Sequence, residues 1–162
     1  MLSVVIATLN DEAVLGRTLA PLVPAAVSGF VREVIVADGG SSDATLEIAD
    51  DAGCEICRLQ GDAEARMRAA AEGARGAWLM LLPPAVQLLP GWEAALRGQL
   101  ERGGGEPVLI AALDPRAGWL ARVMGKGIGQ GARVVQKSGL GEVRGRSARR
   151  LSGCAILIKA EA

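Results

Sequence analysis

Two short polar runs cluster side chains that can bind or polarise a ligand. The first, Thr8-Leu9-Asn10-Asp11-Glu12, follows the apolar stretch Ser3–Ala7, and the second, Asp38-Gly39-Gly40-Ser41-Ser42-Asp43, follows Val34–Ala37. An ionised carboxylate only accepts hydrogen bonds, so Asp38 at a strand end can read an N–H donor, while Gly39 and Gly40 let a ligand approach the backbone closely. The plainer alternative is that Asp38 closes a turn and that Ser41, Ser42 or Asp43 caps the next helix.

Other chemistries are poorly supplied. The chain has no His and three cysteines, Cys54, Cys57 and Cys154. Cys54 and Cys57 form a C-x-x-C within a strand-like run, where residues three apart face opposite ways, so a four-ligand zinc site is not expected. The series Gly125, Gly127, Gly129 and Gly131 matches neither phosphate-loop pattern, and the turn Thr8 to Glu12 lacks the glycine fingerprint of dinucleotide-binding enzymes. A nicotinamide-dependent oxidoreductase is therefore disfavoured.

The elements that must position the two runs alternate with clear punctuation. Ser3–Ala7 reads as a strand, with Asn10 expected to cap a helix carrying Val14, Leu15, Thr18, Leu19 and Leu22 at helical spacing. Val34–Ala37 is a second strand, followed by a helix to about Ala52. A third strand is expected over Glu55–Leu59, then a helix over Ala63–Arg75 with Met67, Ala70, Ala71 and Ala74 on one face. Trp78–Leu82 is continuously apolar, as befits a central parallel strand, and a further helix begins near Gly91. Pro107–Ala112 and Cys154–Lys159 read as strands, Trp119–Met124 as a helical turn or two, and residues 125–150 as a mobile Gly-, Lys- and Arg-rich loop. This rhythm predicts an α/β fold with a doubly wound, mostly parallel sheet. Asn10, Asp38 and the Pro83-Pro84 pair all fall at carboxyl ends of strands, where such sheets bind ligands.

A length of 162 residues suits one domain, 1–162. The net charge is zero, but residues 1–115 carry 8 Lys/Arg against 16 Asp/Glu (−8), and residues 116–150 carry 9 against 1 (+8). That basic segment suits an anionic partner (an anionic lipid, a membrane surface or a protein) or the acidic half of its own domain. No nucleic-acid partner is expected, and a homo-oligomer is. The opening apolar run lacks a basic flank and reads as a strand. With free cysteines and no membrane span, the expected location is the cytoplasm, at most peripheral to the inner face of the membrane.

Three ordered segments resemble those of family-2 glycosyltransferases: Ser3–Glu12, Val36–Thr45, and Ala74-Arg75-Gly76-Ala77-Trp78-Leu79-Met80-Leu81-Leu82. The match covers about residues 2–92. The resemblance implies the GT-A fold, with 1–102 as the nucleotide-binding part and 103–162 as an incomplete acceptor-side part, and inverting transfer of a hexosyl unit from a nucleotide sugar to an acceptor. It also implies that Thr8, Asn10 and Glu12 line the nucleoside pocket with Gly39 beside them, and that Asp38 accepts a hydrogen bond from the base. Arg66 and Arg68 stand where relatives place residues near the donor, and a guanidinium fork suits a phosphate; the alternative is a solvated helix surface.

Two departures qualify the resemblance. The family expects a divalent cation, manganese or magnesium, held by an acidic motif after the central strand, but here the stretch is Pro83-Pro84-Ala85, with Ala85 in place of the metal ligand. The late acidic motif that supplies the general base has no counterpart, so no catalytic residue is assigned. Lys126, Arg133, Lys137, Arg144 or Arg146 can in principle replace the cation's charge, with Glu142 or Asp114 as base. A catalytically degenerate nucleotide- or partner-binding module is the alternative.

Overall fold

The computed structural model describes residues 1–102, 105–113, 131–142 and 149–157. Its elements run β1 (Leu2–Thr8), α1 (Glu12–Leu19), a 3₁₀ turn (Ala20–Leu22), α2 (Val23–Val27), β2 (Val31–Asp38), α3 (Thr45–Asp51), β3 (Glu55–Arg58), α4 (Ala63–Gly73), β4 (Trp78–Leu81), β5 (Val86–Leu88), α5 (Trp92–Arg102), β6 (Val108–Leu113), β7 (Ala132–Gln136), a second 3₁₀ turn (Lys137–Glu142) and β8 (Arg149–Leu157).

The eight strands among the described residues join one sheet in the order β3-β2-β1-β4-β7-β6-β8-β5. The half that carries the two polar runs, β3-β2-β1-β4, is wholly parallel, with Thr8 paired to Asp38 at its carboxyl edge. Beyond β4 the sheet is mixed: β7 is antiparallel to both β4 and β6, β6 pairs in parallel with β8, and β5 closes the edge antiparallel to β8.

The chain steps outward from β1 to β2 to β3 and then returns to the other side of β1 for β4. With right-handed crossovers, that reversal moves the connecting helix to the opposite face. Residues from α1, α2, α3 and α5, including Leu15, Leu19, Ala25, Ala49, Trp92 and Leu96, therefore pack with Val4, Ile6, Val36 and Met80 on one face. Ala70 and Ala71 of α4 and the following Ala74 pack with Val5, Ile35, Ala37, Leu79 and Val135 on the other. The reversal falls between β1 and β4, so the crevice of a doubly wound sheet opens beside the end of β1.

The opposite end of the sheet is stapled by a buried polar network. The Ser3 hydroxyl donates to Glu33 and accepts from the Gly76 N–H at 2.8 Å. Glu33 also accepts from the Arg75 N–H at 2.6 Å and from its Nε at 2.5 Å. Every group is paired, which a buried charge requires.

Several expectations are corrected. Residues 125–150 are not one loop: 132–136 form β7 near the middle of the sheet, 137–142 form a 3₁₀ turn, and β8 begins at Arg149. Val134 and Val135, both buried, face opposite sides of the sheet, and that two-sided burial outweighs the Gly and Arg around them. Residues 86–88, given no element in the sequence reading, form β5. The Trp119–Met124 turn, the glycines at 125, 127 and 129, Asp114, Lys126, Arg144, Arg146 and the last two residues of the expected Cys154–Lys159 strand lie outside the described residues. Cys54 and Cys57 pack on opposite faces as expected, and burial pushes the Cys54 thiol up to about 11. No helix among the described residues is long and apolar enough to cross a membrane.

Candidate functional site

β1 and β2 end side by side, and the loops that leave them are laced together. Asn10 N–H donates to Ser41 Oγ (2.9 Å), Asp11 N–H to Thr45 Oγ1 (2.8 Å) and Glu12 N–H to Asp43 Oδ2 (3.2 Å). In return, Asn10 Oδ1 accepts from the Ser42 N–H (2.9 Å) and Glu12 Oε2 from the Ala44 N–H (2.8 Å). Each run thus satisfies the orphan N–H groups at the start of the other run's helix.

This lacing corrects the simple capping expectation. Asn10 does not cap α1; Asp11 occupies that position, and Asn10 sits one residue earlier at φ 56°, a left-handed conformation that Asn tolerates better than most residues. The N-cap of α3 is Ala44 rather than Ser41, Ser42 or Asp43, although Asp43 Oδ1 does accept the Thr45 N–H at 3.0 Å.

Asp38 is fully buried and accepts four hydrogen bonds: Gly40 N–H (2.8 Å) and Ser41 N–H (2.9 Å) on Oδ2, Ser41 Oγ (2.5 Å) and Thr8 Oγ1 (3.2 Å) on Oδ1. Burial pushes its carboxyl up, but these four donors outweigh burial and hold it below the usual carboxylate value. Asp38 therefore fixes the shape of its own loop as an anion. Asp11, whose Oδ2 accepts the Leu9 N–H (2.8 Å), is shifted the other way: burial raises it, and the neighbouring Asp43 and Asp38 charges add to the rise.

Arg66 lies beneath this loop. It is 6% exposed, and its guanidinium donates to the carbonyls of Ala37 (3.3 Å), Gly61 (2.6 Å) and Thr8 (3.3 Å), bridging the ends of β1 and β2. A Cβ on Gly39 would fall 2.7 Å from its Nη1. Gly39 is thus fixed by contact with Arg66, whereas Gly40 has open space around it and is required by its φ of 101°. Arg68, in contrast, is half exposed and pairs with Glu64 at 3.8 Å on the helix surface.

Thr8, Asn10, Glu12, Asp38, Gly39 and Arg66 are accordingly brought to one rim. Leu9, which sequence reasoning passed over, is 51% exposed there between polar neighbours. The burial of Arg66 had a readable signal, because it stands four and eight residues before Ala70 and Ala74 on the packed face of α4.

The turn after β4 offers little to a cation. Pro83, Pro84 and Ala85 have no side-chain oxygen, the Pro84 carbonyl accepts from the buried Thr18 hydroxyl, and the Pro83 carbonyl accepts the Val86 N–H at 3.1 Å. Among the described residues no group of three or more His, Cys, Asp or Glu is arranged to hold a metal ion. The residues present do not fit the family's divalent cation. Lys137 lies at the wrong end of the sheet, since Gln136 pairs with Trp78 at the start of β4 and the Lys137 ammonium donates to the Ala74 carbonyl (2.5 Å).

The profile of glycosyl transferase family 2 matches residues 3–105, which span both polar runs, the rim and α5. The chain belongs to that family. Solved structures agree on the GT-A fold. Glucosyl-3-phosphoglycerate synthase from Mycobacterium tuberculosis, in complex with Mn2+, UDP and phosphoglyceric acid, is similar with a TM-score of 0.71 and 17% identity, covering 99% of this chain and 72% of that one. A mycobacterial protein (TM-score 0.66, 23% identity, 85% and 54% covered) and S. aureus TarS 1–349 (0.66, 15%, 87% and 48%) are similar too. The chain thus spans only about half the length of the latter two. No curated protein matches the chain.

Proposed function

We propose that this glycosyltransferase-like domain binds the nucleoside diphosphate of a sugar donor across the carboxyl ends of β1 and β2. The observation that carries the reading is the lacing of the two polar runs, five hydrogen bonds that preorganise one rim beside the switch between β1 and β4. In this reading Leu9, Asn10 and the Gly39–Gly40 backbone face the nucleoside. Thr8, Glu12, Asp38 and Arg66 hold that surface in place, because their polar atoms are engaged with the loops themselves. The similar synthase was crystallised with UDP, which makes uridine the first base to test.

Inverting transfer of a hexosyl unit to an acceptor is the fuller activity we propose, with the donor bound here and the acceptor side formed by residues 103–162. A nucleotide- or partner-binding module that has lost transfer is the second reading, favoured by the oxygen-poor turn Pro83-Pro84-Ala85. The basic segment 116–150 is the proposed contact for an anionic lipid, a membrane surface or a protein partner, in a cytoplasmic protein peripheral to the membrane.

Calorimetric titration with UDP and UDP-glucose tests donor binding, with Leu9→Asp as the rim variant because Leu9 is 51% exposed, and circular dichroism checks that the variant is folded. Saturable binding weakened about tenfold or more in the variant supports the reading. Equal binding in both proteins places the ligand elsewhere. Release of UDP from UDP-glucose, matched by a glucosylated acceptor when candidate acceptors are present, separates transfer from binding alone.

A further inference from the structure

The oxygen-poor turn after β4 raises the question of what offsets the charge of a diphosphate at this rim. Two arginines on the α4 face of the sheet answer it. Arg66 reaches the carboxyl ends of β1 and β2 from α4, spends three of its five N–H groups on carbonyls, and has no carboxylate within ion-pair distance among the described residues.

Arg133 is placed by register. It pairs with Leu81 at the carboxyl end of β4, while Val135 pairs with Leu79. Directly opposed residues share a face, and Leu81, Leu79 and Val135 all pack with the α4 cluster, so Arg133 projects on that same face. It is exposed and forms no ion pair with a described residue. From the β1/β2 boundary to β7 is between two and three strand spacings, about 12 Å, a span that two arginine side chains reach across. The rim carboxylates Asp38, Asp43 and Glu12 each accept hydrogen bonds from the laced loops, and Asp11, which accepts the Leu9 N–H, lies near enough to feel the Arg66 charge without forming an ion pair with it.

We infer that this chain binds its nucleoside diphosphate without a divalent cation, with Arg66 at the ends of β1 and β2 and Arg133 beside the end of β4 supplying the positive charge. The inference rests on the nucleotide-binding reading above. Guanidinium groups suit it because they stay charged at all relevant pH values and meet phosphate oxygens with a planar fork.

The test is titration of the whole chain with UDP, first in EDTA and then with millimolar MnCl2, using wild type, Arg133→Lys, Arg133→Ala and Arg133→Glu. Arg133 is exposed, so circular dichroism should show all four folded alike. The inference predicts binding in EDTA that manganese changes by less than about threefold, a partial loss in Arg133→Lys, which keeps the charge but not the fork, about tenfold weakening in Arg133→Ala and a larger loss in Arg133→Glu. Binding that appears only with manganese, or equal affinity across the Arg133 series, overturns the inference while leaving the nucleotide site intact. No UDP binding under either condition overturns the uridine form of that reading and this inference with it.

Discussion

Gly39 and Arg66 touch so closely that a single methyl group on Gly39 would lie 2.7 Å from Nη1 of a guanidinium already committed to three carbonyls. Ala at 39 therefore has to push Arg66 off at least one of those carbonyls. Gly39→Ala should lower stability by about 1–3 kcal/mol in urea unfolding, the usual cost of overpacking a buried site. Loss of UDP binding in excess of that destabilisation would show that the Arg66 position matters to the site itself.

Asp38 makes a poor probe of ligand contact for the same reason that it makes a good anchor. Removing it strands four donors, two of them backbone N–H groups. Asp38→Ala should cost about 2–4 kcal/mol. A melting curve unchanged within error would contradict the anchoring role.

Asn10 combines an unusual backbone conformation with a cross-loop acceptor. Asn10→Ala loses both the tolerance of φ 56° and the bond from the Ser42 N–H. A loss of about 1–2 kcal/mol is expected, with Asn10→Gly milder because it keeps the backbone freedom. Equal losses in the two variants would place the whole effect in the hydrogen bond.

How much of this was legible in the residues differs between fold and site. The parallel half of the sheet was readable because each apolar run is bounded by Gly, Pro or capping residues. β7 was not, because Ala132–Gln136 is strand-like only once β4 and β6 bury Val134 and Val135 from both sides. At the site, strand ends gave the location of Asn10 and Asp38. Their roles depend on bonds between loops some thirty residues apart, which no local pattern encodes.

Acid should loosen the end of the sheet that carries Glu33. Burial pushes Glu33 up, but the Ser3 hydroxyl and the Arg75 N–H and guanidinium outweigh it and hold its carboxyl below its ordinary 4.5. A depressed folded value means that the stabilisation is complete above that ordinary value and is lost as pH falls through the folded one. Denaturation midpoints should therefore drop below about pH 4.5, and Glu33→Gln should be less stable at neutral pH with a flatter acid profile. A variant with the same acid slope as wild type would assign the transition to other carboxylates.

The most direct measurement is a UDP titration followed by amide chemical shifts of the isotope-labelled chain. The rim account predicts saturable shifts concentrated at Leu9, Asn10, Asp11, Gly39, Gly40 and Ser41, with Gly76 and Lys137 at the opposite end of the sheet unmoved. Shifts centred on Gly76 and Lys137, or none anywhere with UDP in excess, would contradict it.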